Sequence, residues 1–129
     1  MYCFTKNVNQ SFDEAIATVT ERLKEKGFGV LTEIDVQATL KKKIDVDFYK
    51  YKILGACNPH FAYKALQHED KIGVMLPCNV IVQQKEEGGP VEISAIDPIA
   101  SMSAVKNPDL GQVATEVQGL LKSVIDSMG

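Results

Sequence analysis

Apolar positions along this chain change period several times, and each change marks a boundary between elements. Residues 2–8, Tyr-Cys-Phe-Thr-Lys-Asn-Val, alternate and are rich in aromatic and β-branched types, which predicts a first strand. Phe12, Ile16, Val19 and Leu23 then recur every three or four residues, so a helix is expected over about residues 12–26. Ser11 and Glu14 stand at capping-box spacing before it, and Lys26-Gly27 supplies a stop. Phe28, Val30, Thr32 and Ile34 alternate with Gly29, Leu31 and Glu33, predicting a second strand with the first set on one face. Asp35 can cap a short helix at 36–43, with Val36, Leu40 and Ile44 inward. The run Lys41-Lys42-Lys43 then falls in its last turn, where lysines complement the helix dipole. Tyr49, Tyr51 and Ile53 alternate with Lys50 and Lys52 in a third strand.

Asn58-Pro59 reads as an N-cap followed by a first-turn proline, opening a helix over about residues 59–68. The stretch from Ile72 to Gln84 is mostly apolar, but Pro77 has no ladder donor. An edge strand, a bulge, or two strands broken near Cys78 is therefore expected. Glu86-Glu87-Gly88-Gly89 is a turn, and Val91, Ile93 and Ala95 alternate with Glu92 and Ser94 in the returning strand of a hairpin. Asp97-Pro98 ends that strand, residues 98–107 read as a loop or ragged helix, and Asn107-Pro108 repeats the cap-plus-proline device. Leu110, Val113, Ala114, Val117, Leu121, Val124, Ile125 and Met128 then keep one broad face of a closing helix. The expected fold is α+β: a largely antiparallel sheet with two main helices on one face, plus short connecting helices. Val80 and Val82 point to one side of their strand and Ile81 to the other, so both sheet faces carry apolar side chains. Two helices cover one face fully, so the short helices or a second subunit must cover the other. A patch left open would mark an association surface, and a homodimer is expected.

Composition narrows the class. A chain of 129 residues, 45% hydrophobic and 24% charged, fits one soluble domain that needs no disulfide or metal to fold. No apolar run approaches the ~20 residues of a membrane helix. The start of the chain lacks the pattern of a signal peptide, and the three cysteines form an odd set without a Cys-x-x-Cys pair. Both features point to the reducing cytoplasm. Net charge is −3, and only residues 41–71 are basic, with 7 Lys/Arg against 4 Asp/Glu. That stretch has no arginine, so a solvated face is expected rather than a nucleic-acid footprint.

The candidate chemistry lies in two similar segments, Gly55-Ala56-Cys57-Asn58-Pro59 and Leu76-Pro77-Cys78-Asn79-Val80. Each sets a cysteine beside an asparagine where an apolar run changes direction. Cys57 precedes a helix N-terminus, which favours thiolate, and His60 in the next turn could act as its base; the same cysteine could equally be packed in a strand end. Ligand binding is assigned to Cys57, Asn58, Pro59, His60, Pro77, Cys78, Asn79 and Asp97, with Asp97 also explicable as a turn residue. Free N–H groups of His60 and Phe61 offer an alternative, small-anion site. Metal ligation is not expected, because paired Cys/His spacings are missing, and no cofactor is implied.

The segments Gly27-Phe28-Gly29-Val30-Leu31-Thr32-Glu33-Ile34-Asp35, Leu54 to Pro59, Leu76 to Val80 and Ile96-Asp97-Pro98 together resemble the domain-of-unknown-function 302 family over nearly the whole chain. The resemblance implies a small bacterial and archaeal domain with a TATA-binding-protein-like β-α-β4-α fold, and brings no catalytic residue or cofactor with it. The reading that follows is a small non-enzymatic ligand-binding or interaction domain acting as a homodimer, with a thiol-based enzyme or redox module as the alternative.

Overall fold

The computed structural model describes residues 1–129. Five strands, β1 (Cys3–Val8), β2 (Gly29–Asp35), β3 (Lys50–Cys57), β4 (Cys78–Gln84) and β5 (Val91–Ile96), form one antiparallel sheet in the order β1-β5-β4-β3-β2. The helices are α1 (Phe12–Glu25), α2 (Val36–Ile44), α3 (Pro59–His68), the four-residue α4 (Pro98–Ser101) and α5 (Leu110–Ser127), with a 3-10 turn at Ile72–Met75. The order β-α-β4-α with short helical insertions agrees with the expected layout.

Register explains the layering. Leu54 pairs with Val80, Val80 with Ala95 and Ala95 with Phe4, and Val82 pairs with Ile93, so these residues share one face. The apolar stripes of α1 and α5 close on that face, burying Val19, Leu23, Val117, Leu121 and Ile125 against the strands. Each such large aliphatic side chain contributes about 1.5–3 kcal/mol through removal from water. A smaller cluster of Ala65, Ile72 and Leu110 continues this layer beneath α3.

Local signals hold where they rest on a side chain meeting its own backbone. Ser11 accepts from the Glu14 N–H while Glu14 returns a bond to the Ser11 N–H, completing the capping box. Asp35 caps α2 through the Ala38 N–H at 2.9 Å, and Lys41 bridges Asp45 and Asp47 at 3.0 Å each. Ile44, expected inward, is exposed, because α2 ends there and buries no residue.

Three expectations change. Leu31 is a bulge: Val30 pairs with Ala56 but Thr32 with Gly55, so one residue is left over and the strand turns about its axis. Val30 therefore lies on the helix-covered face with Ala56, while Thr32 and Ile34 lie on the other with Gly55 and Ile53. The proline break is not at an edge, because β4 is the central strand and Pro77 sits just before it, where no ladder donor is required. Asn107 does not cap α5 directly. Its Oδ1 accepts from the Asp109 N–H at 3.0 Å in a turn preceding Leu110, and its Nδ2 donates to the His68 carbonyl at 2.8 Å, tying the end of α3 to the start of α5.

Gly55 is fixed by this arrangement. A Cβ there would collide with the Thr32 hydroxyl and lie 2.9 Å from the Pro77 ring. Gly55→Ala should therefore cost about 1–3 kcal/mol in urea unfolding, as overpacking does. Adding Thr32→Ala should recover part of that loss, and an unchanged midpoint for Gly55→Ala would show that the contact is absent.

Candidate functional site

Because Ala56 lies opposite Cys78, the two Cys-Asn segments are neighbours across the β3–β4 pair. Both cysteines are free, half-buried thiols, and both line a cavity of about 30 Å³ with Phe61, Ala65, Leu76 and Val117. At roughly 10–15 Å³ per water, that is room for two or three water molecules in a largely apolar lining. Burial pushes the Cys78 thiol up to about 11, and the nearby Cys57 adds to the rise. Cys78 is thus a protonated, weakly nucleophilic thiol at neutral pH.

Among the other expected residues, Asn58 is buried and caps α3 through the Phe61 N–H, and its Nδ2 donates to the Lys26 carbonyl, both at 3.5 Å. It thereby joins the end of α1 to the start of α3. It also occupies one of the two N–H groups that an anion would need at this helix end. Pro59 and His60 are exposed, and His60 does not line the cavity. Lys64 stacks over the Phe61 ring at 5.5 Å. Pro77 lies over Gly55 and borders the cavity. Asp97 caps α4 through the Ile99 N–H at 3.0 Å and accepts from Gln118 Nε2 at 3.1 Å, which is the turn role. Asn79 is exposed and opens onto a different hollow, on the far face of the sheet from Cys78. No three His, Cys, Asp or Glu side chains come together as a metal-ligand set.

That far face carries the residues which motif reading passed over. Thr5, Ser94, Ile81, Ile53 and Ile34 lie side by side in register across all five strands. Ser94 is buried and shares a 2.8 Å hydrogen bond with Thr5. An open hollow of about 370 Å³ lies over β1, β5, β4 and part of β3, bordered by Tyr2, Tyr51, Asn79, Ile81, Gln83 and Ile96 among others. Burial, with Tyr49, Tyr2 and Cys3 close by, raises the Tyr51 hydroxyl above its ordinary value, so it remains a donor at neutral pH. The signal was available in the alternation: if Cys78, Val80 and Val82 face the helices, then Asn79, Ile81 and Gln83 face away.

An antiparallel sheet with helices on one face and a mixed apolar and polar hollow on the other defines a small α+β domain. The family described as domain of unknown function DUF302 matches residues 4–128, and the chain belongs to that family. The crystal structure of the uncharacterized conserved protein DUF302 from Bacillus stearothermophilus is similar, with a TM-score of 0.89 and 30% identity over 98% of this chain and 97% of that one. No curated protein matches the chain. No helix is long and apolar enough to cross a membrane.

The raised Cys78 value fixes a pH window. Between its ordinary 9.0 and about 11, the unfolded chain releases the proton while the folded chain keeps it, so stability must fall as pH rises. The loss is on the order of 2–3 kcal/mol at 1.36 kcal/mol per unit. The stability advantage of wild type over Cys78→Ala, measured in urea, should be constant below about pH 8 and shrink toward pH 11. An advantage that stays flat across that range would mean the thiol is not shielded.

Proposed function

We propose that this protein is a non-enzymatic binding domain that works as a homodimer, two copies meeting through the sheet faces that carry no main helix. One observation carries the reading. By register, the residues facing away from α1 and α5 are Cys3, Thr5 and Asn7 on β1, Glu92, Ser94 and Ile96 on β5, Asn79, Ile81 and Gln83 on β4, Tyr51, Ile53 and Gly55 on β3, and Thr32 and Ile34 on β2. Glu92 is the only charged side chain among them. A sheet face meant for water carries charges at alternate positions, which this one lacks. Its row of isoleucines and hydroxyls suits a second copy of the same surface, because such a match buries no unpaired charge except near Glu92.

The cavity at Cys57 and Cys78 supports packing better than ligand capture. At about 30 Å³ it falls an order of magnitude below the ~300–1,000 Å³ of small-molecule sites. A nucleophilic role gains nothing from a Cys78 thiol raised to about 11 or from a His60 that lies outside the cavity.

Light scattering at micromolar protein should give twice the 14.2 kDa of one chain. Ile81→Lys should return that mass to a single chain while the far-ultraviolet circular dichroism stays unchanged, because the side chain faces away from the main core. A wild-type mass of one chain would overturn the dimer reading.

A further inference from the structure

Cys57 and Cys78 form a pair that the dimer leaves unused. Cys78 stands directly opposite Ala56 in the β3–β4 register, so Cys57 is one residue further along the same pairing. Opposed antiparallel residues lie ~4.5–5.5 Å apart and a strand rises ~3.4 Å per residue, which sets the two Cα atoms roughly 6 Å apart. Disulfides bridge Cα separations of about 4.4–6.8 Å. Successive strand side chains point to opposite faces, but β3 ends at Cys57 and β4 begins at Cys78, so neither residue is held in the pleat on both sides. Both border the one cavity beneath α3, and Cys57 is close enough to raise the Cys78 thiol. That cavity of about 30 Å³ lets the sulfurs turn toward each other without displacing a packed neighbour. Cys3, the third free thiol, lies on β1, with β5 between it and β4.

We propose that Cys57 and Cys78 are a reversible dithiol–disulfide switch, closed by exchange with a small-molecule disulfide of the glutathione type and reopened by the matching thiol. In the first step the Cys57 sulfur attacks one sulfur of the small disulfide. A bond forms between them, the sulfur–sulfur bond of the small disulfide breaks, and its released half leaves with the Cys57 proton. Cys78 then attacks the Cys57 sulfur, expels the second half with its own proton, and closes the bond within the chain. Two chain thiols are oxidised and one small disulfide is reduced to two thiols, so electrons and protons balance. Burial sets the order of the steps, because the shielded, protonated Cys78 is the poorer first nucleophile. Closure ties the end of β3 to the start of β4 and encloses α3 and the 3-10 turn in a loop of about 20 residues. A link across such a loop narrows the unfolded ensemble, so the closed form is the more stable one and the start of α3 is fixed to the segment carrying Pro77. The switch is independent of the dimer, since its cavity lies beneath α3 and not on the uncovered face.

The test equilibrates Cys3→Ser protein with glutathione and glutathione disulfide at set ratios, quenches with acid, alkylates the remaining thiols and reads the product by mass spectrometry. At oxidising ratios the expected product has lost two hydrogens, carries no alkyl group, maps to a linked Cys57–Cys78 peptide and reopens with dithiothreitol. Cys78→Ser in the same background should stop at the glutathione adduct of Cys57. Repeating the equilibrium in urea compares the folded with the unfolded chain, and closure should be favoured about tenfold or more in the fold. A glutathione adduct of the folded Cys3→Ser protein that does not close would overturn the proposal. So would two thiols that stay open to alkylation at oxidising ratios, or closure no more favourable in the fold than in urea. Peptide mapping of the wild type gives the same decision if Cys3→Ser fails to fold, because bridges to Cys3 map separately.

Discussion

One-sided burial of the antiparallel sheet is the constraint from which the rest of this structure follows. Helices α1 and α5 close on the face that carries Leu54, Val80, Val82, Ile93 and Ala95, and side chains in a strand alternate. Fixing those residues inward leaves no freedom for the remainder: Thr5, Ile53, Ile81, Gln83 and Ser94 must face outward together. The central position of β4 gives this its force, because a slip in β4 would disturb its pairing with β3 and β5 at once. Gly55 and Thr32 show how tightly the register is held, with the glycine leaving room for the hydroxyl opposite.

Elements whose signal is local were legible in the sequence. The Ser11–Glu14 capping box, the Asp35 and Asn58 caps and the stripe of α5 all depend on residues a few positions apart. The Leu31 bulge was not legible, because Phe28, Val30, Thr32 and Ile34 alternate without a break through it. Only the pairing with β3 shows that one residue is extra. Asn107 illustrates the same limit. Its turn chemistry was readable, but its bond to the His68 carbonyl spans 39 residues and redirects where α5 begins.

The site divides along the same line. Two Cys-Asn segments attract notice by composition, and the fold does bring Cys57 and Cys78 together. It also separates their asparagines, sending Asn58 into the helix layer and Asn79 to the opposite side of the sheet. Gln83 attracts no notice as a letter in Val-Gln-Gln-Lys, and only the register shows that it faces away from the helices beside Asn79 and Ile81. The cysteines thus read as packed side chains at the junction of β3, β4 and α3, and the surface proposed for association is the uncovered face instead.

The claim that this face is the working surface is tested most directly by isotope-filtered nuclear Overhauser spectra on a mixture of labelled and unlabelled protein. Contacts between chains should arise from the methyl groups of Ile81 and Ile96 and from Tyr51, all on the uncovered face. An absence of contacts between chains at millimolar protein, or contacts confined to exposed residues elsewhere such as Tyr63 and Val74, would contradict the account.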